Sequence, residues 1–226
     1  MSNSDDDKRL AAEAAVAEVR HGMTVGLGTG STAAHMIRAL AARGHRVDAV
    51  ATSHASAELA RSLGLAVHDF ADVARVDLTI DGADEIDDRL LVVKGAGGAM
   101  LREKCVAEAS DRMVVIVDGA KRVSRIGAAR VPVEVLPFAR AFVTRVLAER
   151  SEPVLRTSGA EPYRTDQGNL VLDCAFADLS EPHGVAAWLQ AIPGVLGHGL
   201  FLREVDAAYV AAGGVVTKLE RPLPSG

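Results

Sequence analysis

The sequence is poor in cysteine and lacks long apolar runs. Its two cysteines, Cys105 and Cys174, lie far apart and form no CxxC pair. Such scarcity is typical of a protein from a reducing compartment, and it excludes a disulfide framework and a thiolate metal site. No uninterrupted apolar run reaches the roughly 20 residues that a membrane-spanning helix needs. We therefore expect a protein with no membrane partner.

Positive charge is not in excess either. Lysine and arginine number 25 against 30 aspartates and glutamates, which gives a net charge of -5. Without an arginine-rich tail or a basic stripe, we expect no nucleic-acid partner. The first residues, MSNSDDDKR, are acidic and polar rather than basic and then apolar, so we expect no signal peptide and a cytoplasmic location. The length of 226 residues allows one large domain or two small ones.

Strand-like and helix-like patterns alternate in the first part of the chain. The patterns predict helices over residues 8–19, 34–42 and 55–63, and strands over residues 24–27, 47–51, 66–68, 76–80, 90–93 and 113–117. Alternation of this kind implies right-handed crossovers and a parallel sheet. The predicted fold class is α/β, with a mostly parallel Rossmann-like sheet and helices on both faces.

The order of predicted strands and helices changes near Pro132. Strands are predicted over residues 133–136, 154–156, 170–174 and 199–205, with helices over residues 138–149 and 182–192. That β-α-β-β-α-β order is typical of a smaller ferredoxin-like α+β unit. Two further strands, over residues 208–212 and 215–219, are expected to return to the first sheet. We therefore predict a Rossmann-like catalytic domain of residues 1–131 and 207–226, with residues 132–206 inserted as a ferredoxin-like domain.

The stretch over residues 76–104, VDLTIDGADEIDDRLLVVKGAGGAMLREK, carries the candidate chemistry. In open α/β sheets, ligands bind in the crevice beyond the carboxyl ends of the strands. This places Asp81, Asp84, Lys94 and Glu103 around one predicted pocket, where they suit proton transfer on a small oxygen-rich substrate. Glu103 falls near the first turn of its helix, where the helix dipole favours the charged carboxylate.

Simpler interpretations of these residues remain open. Aspartates are common in surface turns, and Lys94 and Glu103 are compatible with an exposed strand end and a plain helix start. The neighbouring acids, Asp77, Glu85, Asp87 and Asp88, are expected to form a solvated face or caps. The acidic cluster also suits Mg²⁺ or Ca²⁺, but its spacing is not that of a calcium loop. The histidines lack ligand spacing, so we expect no metal.

A glycine-rich turn, GTGSTA over residues 28–33, follows a strand and opens a helix. Its free N–H groups and the helix dipole favour an anion such as phosphate. The turn also fits the dinucleotide pattern G-x-G-x-x-G/A. A dinucleotide site of this kind requires an acidic residue at the end of the second strand to bind the ribose, but this chain has Thr52 and Ser53 there. A phosphate or sugar-phosphate loop is therefore favoured, with a dinucleotide site and a purely structural turn as alternatives.

Several blocks resemble one known family in order and spacing. GLGTGSTAAHMI, TSHASAELARSLG, DGADEID, KGAGGAMLREK and VDGAKRV resemble ribose-5-phosphate isomerases of the A type, and VPVEVLPFAR, TDQGNLVLD and AIPGVLGHGLF resemble the second domain of that family. The resemblance implies a metal-independent aldose-ketose isomerase without a cofactor, which interconverts D-ribose 5-phosphate and D-ribulose 5-phosphate through an enediol(ate). It also implies a homodimer or homotetramer.

The resemblance also assigns roles to residues. It makes Glu103 the base between C1 and C2, Asp81 an acid/base at the substrate oxygens with Asp84 beside it, and Lys94 the stabiliser of the enediolate. The implied substrate-binding positions are Lys8, Thr29, Gly30, Ser31, Thr32, Asp81, Gly82, Ala83, Asp84, Lys94, Gly95, Ala96, Gly97 and Lys121. His54 and Gln167 depart from the family pattern and put local loop contacts in question.

Two other functions remain as alternatives. A non-catalytic sugar-phosphate sensor would keep the glycine turn but has no need of the Glu103, Asp81 and Lys94 set. A CoA transferase on a comparable glycine-rich sheet would use a glutamate to attack an acyl group. Formation of the ketose from ribose 5-phosphate, without metal or CoA, separates the isomerase from both.

Overall fold

The computed structural model of the protein describes residues 4–221. The helices are α1 (Ser4–Val16), α2 (Ser31–Ala42), α3 (His54–Ser62), α4 (Met100–Glu108), α5 (Arg140–Leu147) and α6 (Pro182–Gln190), with 3-10 turns at Phe70–Asp72, Gly119–Lys121 and Pro137–Ala139. The strands are β1 (Thr24–Leu27), β2 (Asp48–Ala51), β3 (Ala66–His68), β4 (Leu78–Gly82), β5 (Glu85–Ile86), β6 (Val92–Val93), β7 (Met113–Asp118), β8 (Val131–Val135), β9 (Ser151–Leu155), β10 (Thr157–Ser158), β11 (Glu161–Pro162), β12 (Leu170–Phe176), β13 (Val195–His198), β14 (Leu200–Phe201), β15 (Ala207–Ala212) and β16 (Val215–Glu220).

A seven-stranded sheet forms the larger part of the molecule. Its strand order is β16-β15-β7-β4-β1-β2-β3, and every neighbouring pair is parallel except β15 with β16. All six residues of β7 are buried, as expected for a central strand covered on both faces. The predicted mostly parallel sheet and the return of the last two strands to it are confirmed.

Both faces of this sheet are covered by helices. Along β7, Val114 and Ile116 join a core cluster with α1 and α2, because alternate residues of a strand point to opposite faces. Met113, Val115 and Val117 join a second cluster with α4 on the other face. The buried face of α1 consists largely of alanine, which lets that helix lie close to the sheet.

The second unit has a four-stranded antiparallel sheet in the order β13-β8-β12-β9. Together with α5 and α6, its chain order is the predicted β-α-β-β-α-β. A short hairpin, β10 with β11, is added between β9 and β12. The apolar core of this sheet includes Val133, Leu147, Leu172 and Leu189, which brings the strands and both helices together.

Two predicted strands are wrong in position. The last strand of the second unit is β13, not residues 199–205; at Gly199 the chain leaves that sheet, and β14 pairs with β6. Residues 90–93 do not join the large sheet, because a tight turn at Asp87, with Leu90 at a φ of 61°, folds β6 back on β5. Strands β14, β6 and β5 thus form a small separate antiparallel sheet.

The division into residues 1–131 with 207–226 and residues 132–206 stays a prediction. Residues 1–3 and 222–226 of that division lie outside the described part of the chain. Within residues 4–221, no helix is both long and apolar enough to cross a bilayer.

Candidate active site

A cavity of about 220 Å³ opens where the carboxyl ends of β1 and β4 meet the start of α2 and the loop before α4. Its walls are formed by the residues that the resemblance implied, together with the predicted base: Lys8, Thr29, Gly30, Ser31, Thr32, Gly82, Ala83, Asp84, Lys94, Gly95, Ala96, Gly97, Glu103 and Lys121. Asp81 is fully buried and contacts three of these residues directly, namely Thr29, Gly82 and Lys94. The structure therefore brings every predicted site residue to one place.

Asp81 is held at the end of β4 by backbone donors. Its Oδ1 accepts hydrogen bonds from the N–H groups of Thr29 (3.0 Å) and Gly82 (2.7 Å). Gly28 makes this arrangement possible, because a Cβ there would lie 2.1 Å from Oδ1. We infer that Gly28 is required at this position for close approach and not for an unusual φ. The sequence pattern included Gly28 in the turn without giving it this role.

Lys94 lies between two carboxylates. Its Nζ is 2.8 Å from Oδ2 of Asp81 and 3.4 Å from Oε2 of Glu103, and it donates to the Gly82 carbonyl at 2.5 Å. Only 2% of Lys94 is exposed, and burial alone lowers the pKa of an ammonium. The charges of Asp81 and Glu103 outweigh burial and raise the pKa of Lys94 above its ordinary value. Lys94 is therefore a cation in the free site, and not the exposed strand-end lysine of the simpler interpretation.

Glu103 faces the same cavity from the start of α4. It is 3% exposed, and its N–H donates to the Ala99 carbonyl in the first helical turn. Burial, with the charge of Asp81, raises the pKa of Glu103 to about 8, although the ammonium of Lys94 acts in the opposite direction. Burial thus favours the protonated form of Glu103, in opposition to the helix dipole, which favours the charged form. A carboxylate with a raised pKa is a stronger base than an ordinary glutamate.

Asp84 lies on the rim of the cavity and holds the loop before α4. Its Oδ2 accepts a hydrogen bond from the Ala96 N–H at 2.9 Å. The other acids of this stretch stabilise turns and ion pairs: Glu85 accepts from two backbone N–H groups, Asp87 accepts from Arg89 and Leu91, and Asp88 pairs with Arg122. The expectation of a solvated face is wrong for Glu85 and Asp87, both of which are buried and accept hydrogen bonds from loop N–H groups.

An anion-binding end lies at the start of α2. The first regular helical bond found there runs from the Ala34 N–H to the Gly30 carbonyl, so the preceding N–H groups belong to the unpaired first turn. Gly30 precedes the helix at a φ of 101°, which favours glycine. Lys8 donates to the Ser31 hydroxyl at 3.2 Å and brings a positive charge to this end. These features suit a phosphate.

Thr52 supports the anion-binding end and was missed as a site residue. Its hydroxyl lies 2.8 Å from the Thr29 hydroxyl and also donates to the Leu27 carbonyl. The signal was present in the sequence as a polar residue directly after the second strand. Thr52 is fully buried, which a sequence pattern does not show.

His54 and Gln167, the two departures, lie outside the cavity lining. The His54 N–H donates to Oδ2 of Asp166 at 2.8 Å, so the TDQGN turn caps the start of α3. Gln167 is exposed in that turn. The His54 departure therefore lies at a contact between the two units, and neither departure reaches the walls of the cavity.

Among the described residues, no group of three or more histidine, cysteine, aspartate and glutamate side chains is placed to hold a metal ion. The cavity instead holds a buried carboxylate–ammonium–carboxylate cluster and a basic helix start. On this fold, that combination defines the class of α/β sugar-phosphate isomerases.

Comparison with known proteins identifies the family. The model of ribose 5-phosphate isomerase A (phosphoriboisomerase A) matches residues 48–214, and the chain belongs to that family. It is 49% identical to the ribose-5-phosphate isomerase A of Sphingopyxis alaskensis over 220 residues, which cover 96% of each chain. The resemblance seen in the sequence is confirmed.

Solved structures agree with this assignment. Ribose 5-phosphate isomerase A from Neisseria gonorrhoeae superimposes with a TM-score of 0.94 at 36% identity, over 99% of this chain and 100% of that one. A D-ribose-5-phosphate isomerase in complex with phospho-erythronic acid gives a TM-score of 0.94 at 32% identity, over 97% of this chain and 100% of that one. The α/β fold class predicted from the sequence is confirmed.

Proposed function

We propose that Glu103 is the base with which this protein interconverts D-ribose 5-phosphate and D-ribulose 5-phosphate. The proposal rests on the position of Lys94, which is buried between Asp81 and Glu103. The same cavity also contains the basic start of α2. Family membership supports an isomerase over a sugar-phosphate sensor or a CoA transferase, because the relatives that match nearly the whole chain are isomerases.

The reaction moves one proton between neighbouring carbons, so one carboxylate close to both serves each direction. Glu103 takes the proton from C2 of the aldose and returns it to C1 of the enediol(ate). Its Oε2 accepts no hydrogen bond from the described residues and lies 3.4 Å from the Lys94 ammonium, and the Glu103 side chain lines the cavity in which the substrate is proposed to bind. The raised pKa of Glu103 favours acceptance of a proton from carbon.

Stabilising the enediolate oxygen is the larger demand, because a proton on carbon is a poor acid. Lys94 supplies a fixed positive charge inside a water-poor site, and such a preorganised donor is worth about 3–4 kcal/mol in the transition state. Asp81, whose Oδ2 pairs with the Lys94 ammonium, assists ring opening and proton movement at the substrate oxygens, with Asp84 beside it. No step of this scheme requires a metal.

The phosphate is proposed to bind at the start of α2. The N–H groups of the first turn and the hydroxyls of Thr29, Ser31 and Thr32 provide donors, and Lys8 and Lys121 provide charge. This assigns the two ends of the cavity different tasks: one holds the phosphate, and the other holds the carbons that react.

We also propose that the protein works in the cytoplasm as a homodimer or homotetramer, as the family resemblance implies. Three large apolar residues close together in the sequence of the second unit are exposed, namely Leu136, Phe138 and Phe142, and Phe138 is 94% exposed. Such exposed apolar residues support an assembly, because they are typical of protein–protein interfaces. Light scattering after size-exclusion chromatography measures the mass directly, and a monomer at micromolar concentration would contradict the assembly.

Glu103→Gln tests the proposed base. We expect ribose 5-phosphate to bind nearly as tightly as before in calorimetry, while turnover in the presence of a chelator falls by orders of magnitude. Glu108→Gln on the same helix is the matched control, since Glu108 pairs with Arg203 at the surface and lies outside the cavity lining. Solvent deuterium should enter the product of the native enzyme. Retained turnover in Glu103→Gln would remove Glu103 from this role.

A further inference from the structure

Side chains of the second unit hold the loop Gly95–Gly98 through hydrogen bonds to its carbonyls. Arg156 directs one guanidinium nitrogen, Nη1, to the carbonyls of both Gly95 (3.0 Å) and Ala96 (2.9 Å). Tyr163 donates its hydroxyl to the Gly97 carbonyl at 3.1 Å. Three consecutive carbonyls of a cavity-lining loop thus have partners from the chain beyond β9.

Fixing these carbonyls also fixes the N–H groups on the other side. In a planar trans peptide, the C=O and the N–H point in opposite directions. The peptide whose Gly95 carbonyl accepts from Arg156 is the one whose Ala96 N–H donates to Asp84. In the next peptide, the Ala96 carbonyl accepts a hydrogen bond from Arg156. The Gly97 N–H of the same peptide therefore points away from Arg156. Because Gly97 lines the cavity, we infer that this N–H is directed into the cavity.

The loop needs such a restraint. Gly95 and Gly98 have φ values of 102° and 75°, and glycine reaches this region and several others at little cost. A side chain at Gly98 is excluded, since its Cβ would lie 2.4 Å from the Tyr163 hydroxyl. One hydrogen bond within the loop, from the Gly98 N–H to the Gly95 carbonyl at 2.9 Å, closes its turn, and the further restraints come from the groups around it.

Arg156 is itself held rigidly. Asp173 on β12 accepts hydrogen bonds from Nε and Nη2 of the guanidinium, and the Arg156 N–H donates to the Val171 carbonyl of the same strand. The planar guanidinium serves a carboxylate on one edge and two carbonyls on the other, which the point charge of a lysine does not reproduce. Arg156 therefore connects the antiparallel sheet of the second unit to the loop.

We propose that Arg156, oriented by Asp173, is a positioning residue for the isomerase reaction. It selects the conformation of Gly95–Gly98 in which the Gly97 N–H faces the substrate and the Ala96 N–H holds Asp84. This role rests on the proposed function, and it gives the second unit a part in turnover besides support of the fold.

Kinetics of Arg156→Ala test the proposal. We expect kcat to fall on the order of 100-fold, the size of effect that misplacement of a site from a distance produces, with a smaller change in KM. Arg156→Lys should not recover kcat, although it keeps the positive charge. Guanidinium chloride at millimolar concentration should recover part of kcat in Arg156→Ala and none in the native enzyme, because a groove of about 480 Å³ lined by Arg130, Arg156 and Asp173 gives access to the vacated position.

Arg130→Ala is the matched control. Arg130 lies on the same groove and donates to the carbonyls of Glu152 and Asp173, so it also joins strands of the second sheet, but it makes no hydrogen bond to the loop. We expect near-native kinetics from it, whatever its effect on unfolding. Equal kinetics of Arg156→Ala and Arg130→Ala, or full activity of Arg156→Lys, would overturn the positioning role. Native turnover measured in the same assay separates that result from failure of the proposed function, which would leave the native protein inactive as well.

Discussion

Glu103→Gln is expected to stabilise the fold while it abolishes turnover. In the folded protein the pKa of Glu103 is raised from an ordinary 4.5 to about 8, mainly by burial. Between pH 4.5 and about pH 8 the folded state keeps a proton on Glu103 that the unfolded state releases. The free energy of unfolding therefore decreases as the pH rises through this range. Glutamine resembles the protonated acid in shape and does not ionise. The variant should therefore lack this loss of stability.

The size of the effect follows from the shift. Each pH unit between the two pKa values changes the free energy of unfolding by about 1.4 kcal/mol. The free energy of unfolding of Glu103→Gln should exceed that of the native protein by less than about 1 kcal/mol at pH 5. At pH 8 the difference should reach at most about 4 to 5 kcal/mol. Urea unfolding followed by circular dichroism at fixed protein concentration measures both values.

The matched control for this experiment is Glu108→Gln on the exposed side of the same helix. Its ion pair with Arg203 is at the surface, so we expect a change within about 1 kcal/mol at either pH. A stability difference for Glu103→Gln that does not grow with pH, or a variant less stable than the native protein at pH 8, would refute the reasoning. It would mean that Lys94 holds Glu103 in its charged form.

Three further outcomes are expected at the site. Replacement of Lys94 by Gln should lower kcat by about 100- to 1,000-fold and change KM less, and steady-state rates showing the opposite pattern would make Lys94 a binding group only. In the native enzyme kcat/KM should fall as the pH drops below about 8, because Glu103 must be ionised to accept a proton; a profile flat down to pH 5 would contradict the raised pKa. Gly28→Ala should destabilise the fold by about 1–3 kcal/mol and displace Asp81, whereas Gly184→Ala, where a Cβ has open space, should be close to neutral in thermal unfolding and turnover.

The sequence predicted those parts of the fold that follow from local pattern. Alternating apolar runs located the parallel strands, since a strand covered on both faces, such as β7, is apolar throughout. The small sheet of β5, β6 and β14 was not predicted. Its strands are two residues long, and β14 pairs with β6 across more than a hundred positions, so no periodicity marks them. The register of Leu200 with Val93 depends on tertiary packing alone.

The candidate site was predicted in its members but not in its electrostatics. The DGAD and KGxGGA blocks identified the residues, and the strand-end rule placed them together. The proton affinity of Glu103 depends on how deeply α4 lies against Asp81 and Lys94, which is a property of packing. Arg156 and Tyr163 were missed for a related reason: their partners are backbone carbonyls, which every sequence has, so no residue pattern identifies the contact.

The order of strands in the large sheet has a consequence for synthesis of the chain on the ribosome. Strand β7 pairs on one side with β15, which emerges only after the whole second unit has been made. Until then the edge of β7 exposes unpaired N–H and carbonyl groups on an apolar strand, a surface prone to association with other chains. We expect the nascent protein to depend on chaperones during that interval, and truncation before residue 207 to give aggregates.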